Sequence, residues 1–136
     1  MHKRKDLSDD LDLSFVPKYQ SLAEIMADNN LAALGDAFVN FIYSLALSVR
    51  KGKPVGKKLS NLILASALRR SGLRSLMPFR MDRHQQANAA EALIVYAWLK
   101  GVLSLLEILQ IISRFENIED AFVNLLQKIV QKSRIS

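Results

Sequence analysis

An all-α fold is what this sequence predicts, and three observations predict it. Apolar residues recur at three- and four-residue intervals over most of the chain. Only five glycines and three prolines interrupt 136 residues, and long stretches carry neither, which favours helices with short connections over a turn-rich strand fold. No stretch sustains the alternation of a half-buried strand. Half of the residues are apolar, enough for one core at this length. A single helical domain over residues 17–133 is therefore expected, preceded by a mobile arm over residues 1–16.

The elements follow in order. Pro17 opens a first short helix, with Tyr19, Leu22, Ala23, Ile25 and Met26 as its apolar positions. Asp28, Asn29 and Asn30 break it, and each has a side-chain oxygen able to cap the next helix. That second helix runs from Leu31 to Arg50, where Leu31, Leu34, Phe38, Phe41, Ile42 and Leu45 keep helical spacing. Gly35 lies in its interior, where glycine costs about 1 kcal/mol relative to alanine; such a position suits the close approach of another backbone or a ligand. Between Leu31 and Val49 the only charge is Asp36, over a length that also spans a membrane. Asp36 and Asn40 would be expensive in lipid, so the expectation is a helix buried on nearly all sides of a soluble protein or dimer.

Residues 51–56, with Gly52, Pro54 and Gly56, form a stop and a loop. A third helix is expected from Lys57 to Ser71, ended by Gly72, and an irregular basic connection with Pro78 from Leu73 to Arg83. The fourth helix runs from His84 to Lys100, with Gly101 as its stop, and a fifth from Val102 to Arg114. Asn117 caps the last helix, in which Ile118, Ala121, Phe122, Leu125, Leu126, Ile129 and Val130 keep the period. Residues 131–136 are polar and are expected to fray.

Composition removes several kinds of chemistry. The chain has no cysteine, which excludes disulfides, thiolate metal sites and cysteine nucleophiles and suits a reducing cytoplasm. The charged stretch from Met1 to Asp12 lacks the apolar core of a signal peptide, so a cytoplasmic protein is expected. There is no glycine-rich phosphate loop. The two histidines, His2 and His84, are too far apart in sequence to suggest a histidine-ligated zinc site.

The formal net charge is +6, a weak pointer to polyanions. Its distribution is more informative. Ten of the 19 Lys and Arg residues fall between Arg50 and Arg83, with Asp82 the single acidic residue there. Such a run is either a solvated face or a phosphate-contacting surface. On the second reading Lys53, Lys57, Lys58, Arg69, Arg70, Arg74, Arg80, Arg83 and His84 are its contact residues.

Two carboxylates stand in unexpected places. Asp36 follows Gly35 in an apolar helix, and Glu91 sits within Ala89-Ala90-Glu91-Ala92-Leu93-Ile94. Ionised oxygens are rarely buried without a partner. Each carboxylate is a cap or ion-pair member, an exposed edge residue, or half of a shared Mg²⁺ or Mn²⁺ site. A hard divalent ion takes oxygen ligands and keeps waters, and two facing helices can each supply one inward carboxylate.

Here the residues resemble a known family. Leu31-Ala32-Ala33-Leu34-Gly35-Asp36-Ala37-Phe38-Val39 is similar to the ribonuclease III signature Leu-Glu-Phe-Leu-Gly-Asp-Ala-Val-Leu. Ala87-Asn88-Ala89-Ala90-Glu91-Ala92-Leu93-Ile94 resembles the family's Ala-Asp-x-x-Glu-Ala-Leu-Ile. Residues 55–61 and 64–69 resemble the approach to the family's third helix, and the likeness covers roughly residues 20–105.

The resemblance implies a ribonuclease III endonuclease-domain-like helical bundle, homodimeric, binding Mg²⁺ or Mn²⁺ and cleaving double-stranded or structured RNA in a valley across both sites. It makes Asp36 and Glu91 the catalytic and metal-binding carboxylates. Two positions depart: Ala32 stands where the family has a glutamate, and Asn88 where it has an aspartate. Asn88 still offers a carbonyl oxygen for a metal or a metal-bound water but lacks the charge. Mini-ribonuclease III departs similarly, and like it this sequence shows no duplex-RNA-binding domain, so the likeness is to that compact branch or to an archaeal ribonuclease III-like one. Asp82 is either a third carboxylate or a locally paired one. The rival expectation is a catalytically inactive RNA-binding or assembly protein on the same fold; a third is a helical homodimer whose basic face binds an acidic protein. Dimerisation is expected on physical grounds too, since the helix from Leu31 is more apolar than a monomer surface tolerates.

Overall fold

The computed structural model describes residues 11–133 and Ile135. Residues 1–10 of the expected arm, His2 among them, and residues 134 and 136 of the expected frayed end lie outside the described residues. Of the rest of the arm, Val16 is buried and Leu13 packs against the core.

The described residues form helices and no strand, as the sequence predicts. The order is α1 (Leu22–Met26), α2 (Asn29–Lys51), α3 (Asn61–Arg70), a 3-10 turn (Leu73–Leu76), α4 (Arg83–Leu99), α5 (Leu105–Ser113) and α6 (Ile118–Lys132). Every α-helix begins with a side chain that accepts a hydrogen bond from an otherwise unpaired backbone N–H. These are Ser21, Asp28, Ser60, Asp82, Ser104 and Asn117. Asp82 and Ser104 form reciprocal capping boxes with Gln85 and Glu107. Asp28 and Asn117 are caps that the sequence foretold.

Three helix starts differ from expectation. Pro17 does not open α1, because Ser21 caps it and the Gln20 N–H is held by the Glu24 carboxylate. Helix α5 starts at Leu105 rather than Val102. Gly101 at φ 70° lets the Val102 N–H fold back to the Ala97 carbonyl at 2.8 Å, closing α4, and the Ser104 cap then opens α5. Helix α3 starts at Asn61 rather than Lys57, since the backbone before it is bonded to α2, as described below.

Helix α4 is the centre of the fold. It packs against α1, α2, α3 and α6. From Ala89 to Leu99 every residue but half-buried Trp98 is buried. A helix without a polar face must be enclosed, and alanines at 87, 89, 90, 92 and 97 let the neighbours come close. The sequence assigned that all-round burial to the Leu31 helix. Instead α2 buries one side, through Leu31, Ala32, Gly35, Phe38, Val39 and Ile42, and leaves Leu34, Phe41 and Val49 exposed. By length and hydropathy α2 also passes for a membrane span. Aromatic pairs bind the layers: Phe38 stacks on Trp98 at 4.6 Å between ring centres, and Tyr19 meets Tyr96 edge-on at 5.7 Å.

Candidate active site

The crossing of α2 over α4 fixes the site. At Gly35 a side chain is sterically forbidden, because a Cβ there would fall on the backbone carbonyl of Glu91. The two helix backbones therefore touch at this point, and the residues beside the contact are brought together. Asp36, one position after Gly35, is half-buried, and Glu91 is only 3% exposed.

Asp36 and Glu91 line one recess together with Asn29, Ala32, Ala33, Lys58, Asn61, His84 and Asn88. The Glu91 carboxyl is pushed up from its ordinary 4.5 to about 8. Burial is the largest cause, followed by the hydrogen bond to Asp36 and its negative charge; the Lys58 ammonium pulls the other way. Near neutral pH this carboxyl therefore keeps its proton in the metal-free protein.

Asp36 has two further partners. The Asn40 amide, one turn on, donates to Asp36 Oδ1 at 3.3 Å, and Lys58 Nζ lies 3.7 Å from the same oxygen. Asn40 also accepts from the Leu59 N–H at 2.8 Å. Ala32 and Asn88, the two positions that depart from the expected signatures, face the same recess as the two that match it. Among the described residues no three His, Asp or Glu side chains converge as a metal cluster. The donors present are two carboxylates and nearby amide oxygens. All are hard oxygen ligands, suited to a magnesium-like ion that keeps several waters, and a cation would relieve the opposition between the two carboxyl groups.

The other basic positions divide into groups. Lys58 and His84 stand at the carboxylates. Arg74 and Arg80 line a separate recess with Met77, Phe79, Met81 and Gln86, and Arg69 donates to Gln86 Oε1 at 2.6 Å. Lys53, Lys57 and Arg83 are exposed. Arg70 is drawn away from the set: its guanidinium bonds Glu119 at 2.6 Å and Asp120 at 2.7 Å, tying α3 to α6. Its guanidinium thus serves as a clamp between two helices as well as being half-exposed. Asp82 is likewise occupied as the α4 cap and does not line the carboxylate recess.

Sequence reasoning missed Asn40 and Asn61. Asn40 was findable, because a residue four positions after Asp36 on one helix shares its face. Asn61 depended on knowing where α3 begins.

Comparison with known proteins identifies the family. The family model described as Ribonuclease III matches residues 29–134, a span that begins with α2 and includes every recess residue. No curated protein matches the chain. The chain carries a ribonuclease III-like endoribonuclease domain and belongs to the ribonuclease III family.

Proposed function

We propose that this protein is a metal-dependent endoribonuclease that hydrolyses phosphodiester bonds in double-stranded or structured RNA. The observation that carries the reading is the meeting of Asp36 and Glu91 from facing helices in one recess, with Asn88 beside them. These three residues are the ligands proposed for Mg²⁺ or Mn²⁺. When bound, such an ion activates water and offsets charge on the reacting phosphate. Asn40 holds the Asp36 carboxylate in place, and the buried wall of α4 holds Glu91. The exposed cations Lys53, Lys57, Arg74, Arg80 and Arg83 grip the RNA backbone outside the recess.

The protein acts, on this reading, as a homodimer that does not insert into a membrane. Leu34 and Phe41 lie two turns apart on α2 and are exposed, Phe41 by 53%, a stripe suited to a second copy. The test of function is incubation of a duplex RNA with Mg²⁺ or Mn²⁺. Metal-dependent cleavage that Glu91→Gln abolishes supports the reading.

A second reading is a catalytically inactive RNA-binding or assembly protein, and Ala32 and Asn88 favour it. Both face the recess in place of acidic residues, which lowers the charge available to hold a cation. Salt-sensitive RNA binding without cleavage in either metal would select it.

A further inference from the structure

The loop between α2 and α3 is fastened to α2 in a regular register. The Val55 N–H donates to Ser48 Oγ at 2.9 Å, the Lys57 N–H to Ser44 Oγ at 2.8 Å, and the Leu59 N–H to Asn40 Oδ1 at 2.8 Å. The Ser44 hydroxyl donates back to the Lys57 carbonyl at 2.9 Å. Loop residues two apart thus engage helix residues four apart. The two steps match: four helix residues rise about 6 Å, and two residues of extended chain about 6.6 Å. Because the backbone of residues 55–59 is committed to α2, it cannot begin α3. Helix α3 starts only after Ser60, and Leu59 is anchored in the core.

This register has one chemical result. Lys58, between the Ser44 and Asn40 anchors, is delivered to the carboxylate recess 3.7 Å from Asp36. Its side chain is 67% exposed, so the ion pair adds little to stability. An ammonium placed at the rim, open to solvent and beside two carboxyl groups, is well sited for an incoming anion.

We propose that Lys58 binds the reacting phosphate of the RNA, and that Asn40, Ser44 and Ser48 act as positioning residues by holding its strap in register. The inference rests on the nuclease reading above and adds to it a cation inside the site, distinct from the lysines and arginines that grip the backbone elsewhere. In the metal-free protein Lys58 is the resident counter-ion of Asp36. It therefore opposes metal entry, and a phosphate draws it off.

The test compares wild type with Lys58→Met, Lys58→Arg, Lys53→Met, Ser44→Ala and the Ser44→Ala/Lys58→Met double variant. Two readouts are used: steady-state cleavage of a duplex RNA, and Mn²⁺ binding to RNA-free protein by electron paramagnetic resonance. Lys58→Met is expected to lower kcat by roughly 10²-fold, the scale of one transition-state donor, with KM changed much less. Lys58→Arg should recover part of the loss. In the RNA-free protein Lys58→Met should bind Mn²⁺ roughly fivefold more tightly, since the ammonium that competes for the Asp36 carboxylate is removed. Ser44→Ala, which loosens the strap without touching Asp36, should lower kcat in wild type but add little in the Lys58→Met background. A Lys58→Met effect confined to KM and no larger than that of Lys53→Met would overturn the proposal, as would unchanged Mn²⁺ affinity. Wild type that binds no Mn²⁺ and cuts no RNA overturns the nuclease reading itself; wild type that does both, with Lys58→Met indistinguishable, overturns only the role of Lys58.

Discussion

The Cα of Gly35 faces the backbone carbonyl of Glu91 with no room for a side chain between them. Through this contact the same residue pair sets the α2–α4 crossing and brings Asp36 to Glu91. Gly35→Ala should therefore force the helices apart. Overpacking against backbone costs about 1–3 kcal/mol, more than the roughly 1 kcal/mol of helix propensity that alanine recovers. Thermal unfolding should show a clear fall in Tm. An unchanged or raised Tm would mean that the helices do not meet there.

Glu91 should make folding pH-dependent in a direction opposite to most carboxylates. Its folded-state value lies near 8, above the ordinary 4.5. Below 4.5 both states hold the proton and the group has no effect. Between 4.5 and about 8 the unfolded chain releases it first, so the fold loses stability as pH rises; above 8 the deficit is constant. In metal-free buffer Glu91→Gln should be more stable than wild type at pH 8–9, by about 5 kcal/mol at most. The difference should shrink toward pH 4.5. Denaturant unfolding at several pH values checks both.

Arg70 and Arg74 should separate structure from RNA contact. Arg70→Ala removes the link from α3 to Glu119 and Asp120, an exposed pair expected to contribute about 1 kcal/mol or less. RNA affinity should barely change. Arg74→Ala should leave Tm nearly constant and reduce the slope of log affinity against log salt by about one. Fluorescence anisotropy over a salt series distinguishes the two.

Phe41 should control association. Its ring is half-exposed on the same side of α2 as Leu34. Phe41→Lys should leave the helical content intact and convert a sedimenting dimer to a monomer. Wild type that is monomeric at micromolar concentration would remove the proposed dimer.

Much of this fold was legible from spacing and caps. Asp28, Asn117, Gly72 and Gly101 marked boundaries because local backbone chemistry decides them. Gly35 was read as a point of close approach, and that is what it is. Two features depended on distant partners. The start of α3 was hidden because Ser48, Ser44 and Asn40, 7 to 19 positions upstream of the residues they bind, capture the strap that precedes it. The burial of α4 rather than α2 was obscured because both carry long apolar runs; α2 gathers its apolar residues more to one side, whereas α4 spreads them all round. At the site, the four signature positions were placed by resemblance, whereas Lys58 and Asn40 were brought to the carboxylates by the strap register. The Arg70 partners on α6 were not legible, because a basic run does not show which of its members has an acidic partner.

The decisive experiment is cleavage of a defined duplex RNA by wild type and Glu91→Gln, in Mg²⁺, in Mn²⁺ and in chelator. Metal-dependent cutting by wild type, reduced at least 10²-fold in Glu91→Gln although that variant folds and binds RNA, is the result expected of a working carboxylate site. Cutting by both proteins alike, or by neither in any metal, would contradict it.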